Sequence, residues 1–199
     1  MLQRMLILFA PIVGVFNFLA GIVAFVWLAV NGEHWRYIFQ AFGILIVGVW
    51  VLSFLLLPTL LLMPFMKWAE RKQWRTYALC FISNSFIMCM LGVWCIVIMG
   101  YFHDKASKAS EIPMLLLGYA TTTGVFQFLA SKERDNEFTV LSASAATFAA
   151  FITFFLMLGD YWALVIPTWL ILVIAESHIA SSAAATLTAS RLPSEGNIH

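Results

Sequence analysis

The stretch Lys67-Trp68-Ala69-Glu70-Arg71-Lys72-Gln73-Trp74-Arg75 is a short polar island between two long apolar runs. It carries four basic residues against a single acid, and these are Lys67, Arg71, Lys72 and Arg75. Short loops rich in lysine and arginine stay on the cytoplasmic side of a membrane. The island therefore predicts that the apolar runs on either side of it cross a membrane, and that residues 67–75 face the cytoplasm.

The composition of the whole chain supports a membrane location. Hydrophobic residues make up 62% of the sequence and charged residues 11%, and the mean hydropathy is +0.92, whereas soluble domains are about a quarter charged. A chain of 199 residues has room for six spans of about 20 residues, with little left for a soluble domain. The net charge of +1 gives no reason to expect nucleic acid as a partner.

Outward from the island, the apolar runs and turn signals predict an all-α membrane protein with six spans. The predicted spans are about 2–30, 38–66, 76–101, 112–130, 138–158 and 161–181. No helix breaker follows the last apolar run until Pro193. We therefore expect a six-span domain over 1–181, with residues 182–199 forming a helical extension and tail in the cytoplasm.

The distribution of basic residues predicts the orientation of the bundle. With the N-terminus inside, eight of the eleven lysines and arginines lie on the cytoplasmic side and three on the outer side. This asymmetry favours six spans with both termini in the cytoplasm. Compact loops and strong charge asymmetry favour the bacterial inner membrane.

Small residues at a spacing of four predict close helix packing. One such row lies on the fifth span, which we expect to be central, and another on the sixth; the residues are Ser142, Ala146, Ala150, Ser177, Ser181 and Ala185. The row on the sixth span also predicts association of the chain with copies of itself.

Polar residues inside the predicted spans suggest a layer in the inner third of the membrane. Its members are Ser83, Asn84, Ser85, Gln127, Glu176 and His178. Such a layer either lines a cavity where Glu176 binds a cation or a proton, or it only joins helices by hydrogen bonds. Glu176 and His178 are two residues apart and so point to different helix faces. Asn17 has no evident partner at its depth, and we expect it to hold helices together.

The outer loops carry acidic and histidine residues that could gather around a metal ion, namely Glu33, His34, His103, Asp104 and Asp160. They come from three loops and lack the spacing of metal ligands, so we interpret them as solvated loop residues. Cysteine spacing and histidine placement likewise predict no zinc, haem or other cofactor.

No sequence motif of a catalytic site is present, which argues against an enzyme. The first hypothesis is a non-catalytic membrane subunit, an anchor, sensor or scaffold that docks a cytoplasmic or membrane partner protein. The docking residues would be Lys67, Arg71, Lys72, Arg75, Lys132 and Arg134. The alternative is a transporter or channel for ions or small solutes, with a pathway near Asn84 and Glu176.

Overall fold

The computed structural model describes residues 2–32, 35–55, 57, 73–133 and 137–191, and these residues contain helices and turns but no strand. The helices are α1 (Leu2–Val30), α2 (Trp35–Leu55), α3 (Gln73–Lys105), α4 (Glu111–Lys132), α5 (Glu137–Leu158) and α6 (Val165–Arg191), with a 3₁₀ turn at Trp162–Leu164. Within these described ranges, six helical segments are long and apolar enough to cross a membrane. The chain is thus an all-helical, multi-pass integral membrane protein.

The helices extend beyond several of the predicted span limits. α2 already begins at Trp35, and α3 includes Gln73, Trp74 and Arg75 of the polar island and continues to Lys105. Arginine, glutamine and lysine are good helix formers, so a helix need not end where the hydrocarbon ends. The rest of the island and the end predicted for the second span, near residue 66, lie outside the described residues.

The helices α1, α2 and α6 form the outer part of the bundle. Of the most apolar 18 residues of each span, only 28% are buried in α1, 22% in α2 and 28% in the last span. The exposed side chains of α2 are large and apolar, and they include Phe39, Phe42, Ile46, Trp50 and Phe54. Such a surface suits lipid, because acyl chains are as apolar as these side chains.

The most buried span is α4, not α5 as the small-residue rows suggested. The α4 span has the lowest hydropathy, 1.3, yet 67% of its most apolar 18 residues are buried, compared with 61% of those in α5. α4 packs against α1, α2, α3 and α5, so most of its surface meets protein. Its three threonines, Thr121 to Thr123, are buried, and the hydroxyl of Thr123 donates to the carbonyl of Tyr119 at 2.8 Å.

The packing contact between α3 and α6, which we call the seam, positions the polar residues of these two helices. Gly92 of α3 faces the indole of Trp169, so close that a Cβ at this position would lie 2.5 Å from the ring. Trp169 also donates from Nε1 to the hydroxyl of Thr153 on α5 at 2.9 Å. Glu176 follows Trp169 by seven residues, two helical turns, and therefore lies on the same face of α6.

The two ends of the bundle can be distinguished by their connections. Leu28 of α1, Ile38 of α2, Phe102 of α3 and Met114 of α4 pack in one cluster. The α1–α2 and α3–α4 connections therefore lie at the same end, which we call the 103–111 end. The opposite end, where α4 finishes and α5 begins, is the 132–137 end.

Candidate functional site

The side chain of Glu176 enters a polar contact that joins three helices. Its Oε1 atom accepts a hydrogen bond from Nδ2 of Asn84 on α3 at 2.5 Å. The hydroxyl of Ser142 on α5 lies 3.1 Å from the same oxygen, and it shares its single proton between Glu176 and Oδ1 of Asn84. All three residues are at most 2% exposed. We call Asn84, Ser142 and Glu176 the carboxyl site.

The carboxyl site lies nearer to one end of the bundle than to the other. Ser142 follows the first residue of α5 by five positions, which corresponds to about 7.5 Å along the helix axis. The carboxyl site is therefore close to the 132–137 end. Beside it, the hydroxyls of Ser85 and Ser177 lie 2.6 Å apart and form a second contact between α3 and α6.

The second oxygen of the Glu176 carboxyl group is buried and has no hydrogen-bond partner within the part of the chain that the structure describes. Among the described residues, Glu176 also forms no salt bridge; those found are between His103 and Glu111 or Asp160. A negative charge inside a membrane is costly unless a partner offsets it. The arrangement provides hydrogen-bond donors for one carboxyl oxygen and leaves the other able to take up a proton.

Ser142 belongs to the carboxyl site, although the sequence suggested only a packing role for it. Its place in a row of small residues drew attention to close helix contact, and Ala146 and Ala150 of that row are indeed fully buried. The position of Ser142 along its span is the signal that could have assigned it to the carboxyl site. Ser142 lies near the start of the fifth span, as Asn84 does in the third.

Three predicted members of the polar layer lie elsewhere. His178 is exposed and Ser83 is partly buried. Two residues along a helix correspond to a rotation of about 200°, so His178 points away from the carboxyl site. Gln127 on α4 instead accepts a hydrogen bond through Oε1 from Nδ2 of Asn17 on α1 at 3.2 Å. Asn17 therefore has a partner that the sequence did not reveal, and the hydrogen bond joins α1 to α4, in agreement with the expected role of holding helices together.

Most of the predicted docking surface lies outside the described residues. Lys132 is exposed at the end of α4, and the backbone of Arg75 is helical. The other four residues, Lys67, Arg71, Lys72 and Arg134, lie outside the described residues. Of the predicted packing row on α6, Ser177 is fully buried against Ser85 of the same chain, while Ser181 and Ala185 are half-buried.

At the 103–111 end, the structure brings three side chains together. His103 lies 3.8 Å from a carboxyl oxygen of Glu111 and 3.9 Å from one of Asp160. Asp104 is exposed, and Glu33 and His34 lie outside the described residues. Glu111 was not among the residues that the sequence suggested for this group.

Comparison of the chain with family models, with curated proteins and with solved structures finds no match. The function must therefore be inferred from the residues and their geometry.

Proposed function

We propose that the protein is a proton-coupled membrane transporter in which Glu176 binds and releases the proton. The observation that supports this proposal is the buried carboxyl group of Glu176, which has donors on one oxygen and no partner on the other. The proton moves alone or together with a small solute.

Uptake of a proton changes how strongly Glu176 depends on hydrogen bonds from its neighbours. The ionised carboxylate needs both donors, Asn84 and Ser142, because they are its only hydrogen-bond partners among the described residues. The protonated group is neutral and needs them less. The two states therefore differ in how strongly they hold α6 against α3 and α5. A ligand that interacts differently with two arrangements shifts the equilibrium between them.

The carboxyl site lies closer to the 132–137 end of the bundle, since Ser142 is about 7.5 Å along α5 from the start of that helix. In this proposal the proton takes its shorter route through that end. Towards the other end, the indole of Trp169 fills the space beside Gly92 and binds Thr153. In this proposal the Trp169 contact is the barrier, and the proton passes when α6 moves away from α3. Such alternation of access is how many secondary transporters work.

Proton flux through the purified protein tests the proposal. The protein is reconstituted into liposomes that contain a pH-sensitive dye, and a pH gradient is imposed while potassium and valinomycin hold the membrane potential at zero. We expect the wild type to dissipate the gradient faster than protein-free liposomes. Glu176→Gln should lose this activity because the amide cannot release a proton, and Glu176→Asp should keep part of it.

The matched control is Glu133→Gln, which removes an exposed acid at the end of α4 and should leave the flux unchanged. Each variant is first shown to elute as the wild type does in detergent, so that a lost flux reports on chemistry and not on folding. A Glu176→Gln variant with full flux would exclude the proposal, and a wild type without flux would exclude proton movement that needs no second solute.

The helix α6 favours a second candidate function, the docking subunit. α6 remains helical to Arg191, ten residues beyond the predicted end of its span, and could present a surface to a partner. Deletion of residues 182–199 separates the two functions. A transporter should keep its proton flux after the deletion, whereas a docking subunit should lose proteins that co-purify with the full chain from a bacterial inner membrane.

A further inference from the structure

His103, Glu111 and Asp160 come from three separate parts of the chain and meet at the 103–111 end. Each offers one atom that could bind a metal ion, and these atoms all lie within 4.8 Å of one another. The side chain of His103 is 17% exposed, that of Glu111 36% and that of Asp160 80%. The group is thus open to solvent on the Asp160 side and enclosed on the His103 side.

The distances in this group are too long for hydrogen bonds and suit a shared ion. Nδ1 of His103 lies 3.8 Å from a carboxyl oxygen of Glu111, and Nε2 lies 3.9 Å from one of Asp160, whereas hydrogen bonds to nitrogen end near 3.2 Å. Nδ1 of His103 is buried and has no hydrogen-bond partner among the described residues. Ligands at about 2 Å around a tetrahedral zinc ion are about 3.3 Å apart. The two carboxylates approach different nitrogens of the ring, so the exposed Asp160 side chain must turn toward Nδ1 for all three residues to share one ion.

The residues of the group are held in place by the local fold. The ring of His103 packs edge-on against Trp162, with the ring centroids 4.9 Å apart. Asp160 adopts a positive φ of 58° in a turn where its N–H donates to the carbonyl of Met157 at 3.1 Å. Aspartate and asparagine tolerate this conformation better than most residues. A site whose ligands are already positioned loses less entropy when an ion binds.

We propose that His103, Glu111 and Asp160 form a binding site for a divalent transition-metal ion such as Zn²⁺. One imidazole nitrogen and the two carboxylates bind the ion, and water completes its coordination on the exposed side of Asp160. The mixture of imidazole and carboxylate ligands suits zinc better than calcium or magnesium, which prefer oxygen ligands. The ion would connect α3, α4 and the α5–α6 turn. This site does not depend on the proposed transport function.

Titration of the metal-free protein with Zn²⁺ tests the site. Isothermal titration calorimetry in detergent at neutral pH should show saturable binding of one ion per chain. His103→Ala should abolish this binding. Asp160→Asn and Glu111→Gln should weaken it by about tenfold or more, because each removes a charged ligand from the ion. Asp160→Asn is the most informative variant, since asparagine keeps the size of the side chain and tolerates the positive φ.

Two controls remove similar groups that lie outside the site. Asp104→Asn changes the exposed neighbour of His103 on the same helix, and His178→Ala removes an exposed histidine of α6. Both should bind Zn²⁺ as the wild type does. Absence of saturable binding by the wild type would overturn the proposal, as would unchanged binding by His103→Ala and Asp160→Asn.

Discussion

Asn84 uses both ends of its side-chain amide in the carboxyl site. Its nitrogen donates to Glu176 on α6, and its oxygen accepts from Ser142 on α5. Asn84 therefore links α3 to two other helices. It also binds the carboxyl group of Glu176, which has few other partners. Removal of this amide should affect stability more than loss of an ordinary hydrogen bond would.

We predict that Asn84→Ala lowers the free energy of unfolding by about 1–2 kcal/mol, since hydrogen bonds between membrane helices reach about 1.7 kcal/mol and a buried acceptor is left unpaired. Unfolding by a denaturing detergent in mixed micelles measures this change. Ser182→Ala is the control, because this exposed hydroxyl binds only the carbonyl of His178 on its own helix. Equal stability of the two variants would show that the Asn84 hydrogen bonds contribute nothing.

The sequence predicted the depth of these residues better than the direction in which they point. Depth follows from counting residues from the end of a span, and it placed Asn84 and Glu176 together. The direction in which a side chain points depends on the rotation of its helix about its own axis, and this rotation is determined by packing against the other helices. The sequence therefore included His178, which points away, and missed both Ser142 at the carboxyl site and the contact between Asn17 and Gln127.

At the scale of the helix, hydropathy identified the spans, but the rows of small residues indicated the wrong span as the most buried one. A helix that faces lipid must be apolar, and α1 and α2, with a hydropathy of 2.3 each, are the least buried together with the last span. A helix enclosed by protein is free of this requirement. The threonines make α4 the least apolar span, and they are tolerated because other helices enclose it. The sequence alone does not show which helices those are.

The seam between α3 and α6 leads to a prediction about two glycines. Gly92→Ala should lower stability by about 1–3 kcal/mol, the usual cost of overpacking, because its Cβ would lie 2.5 Å from the ring of Trp169. Gly43→Ala is the matched control in α2, where a Cβ meets nothing within 4 Å. That substitution should raise stability by up to about 1 kcal/mol through helix propensity. Both changes are measured by unfolding in mixed micelles.

A Gly92→Ala variant as stable as the Gly43→Ala variant would show that Trp169 can move away without cost. The seam would then be loosely packed, and it could not act as the barrier in the proposed transport cycle. A large loss of stability would support a tight contact that opens only when another interaction changes.

At the scale of the whole molecule, the two proposed sites occupy opposite ends of the bundle. The carboxyl site lies near the 132–137 end, and the proposed metal site lies at the 103–111 end. If the charge distribution orients the chain as predicted, Glu176 is nearer the cytoplasm and the metal ion binds from outside. The orientation therefore determines which compartment supplies the proton and which supplies the ion.

Labelling of single cysteines in intact bacterial cells tests this orientation. The three native cysteines, Cys80, Cys89 and Cys95, lie in one span and are first replaced by alanine. A reporter at Asp104→Cys should react with a membrane-impermeant maleimide in intact cells. A reporter at Lys132→Cys should react only after the membrane is permeabilised, because lysines and arginines near spans are retained inside. Both positions are exposed, so a lack of reaction reports on sidedness. The reverse pattern would place Glu176 near the outer face, and the proposed transporter would then take up its proton from outside by the shorter route.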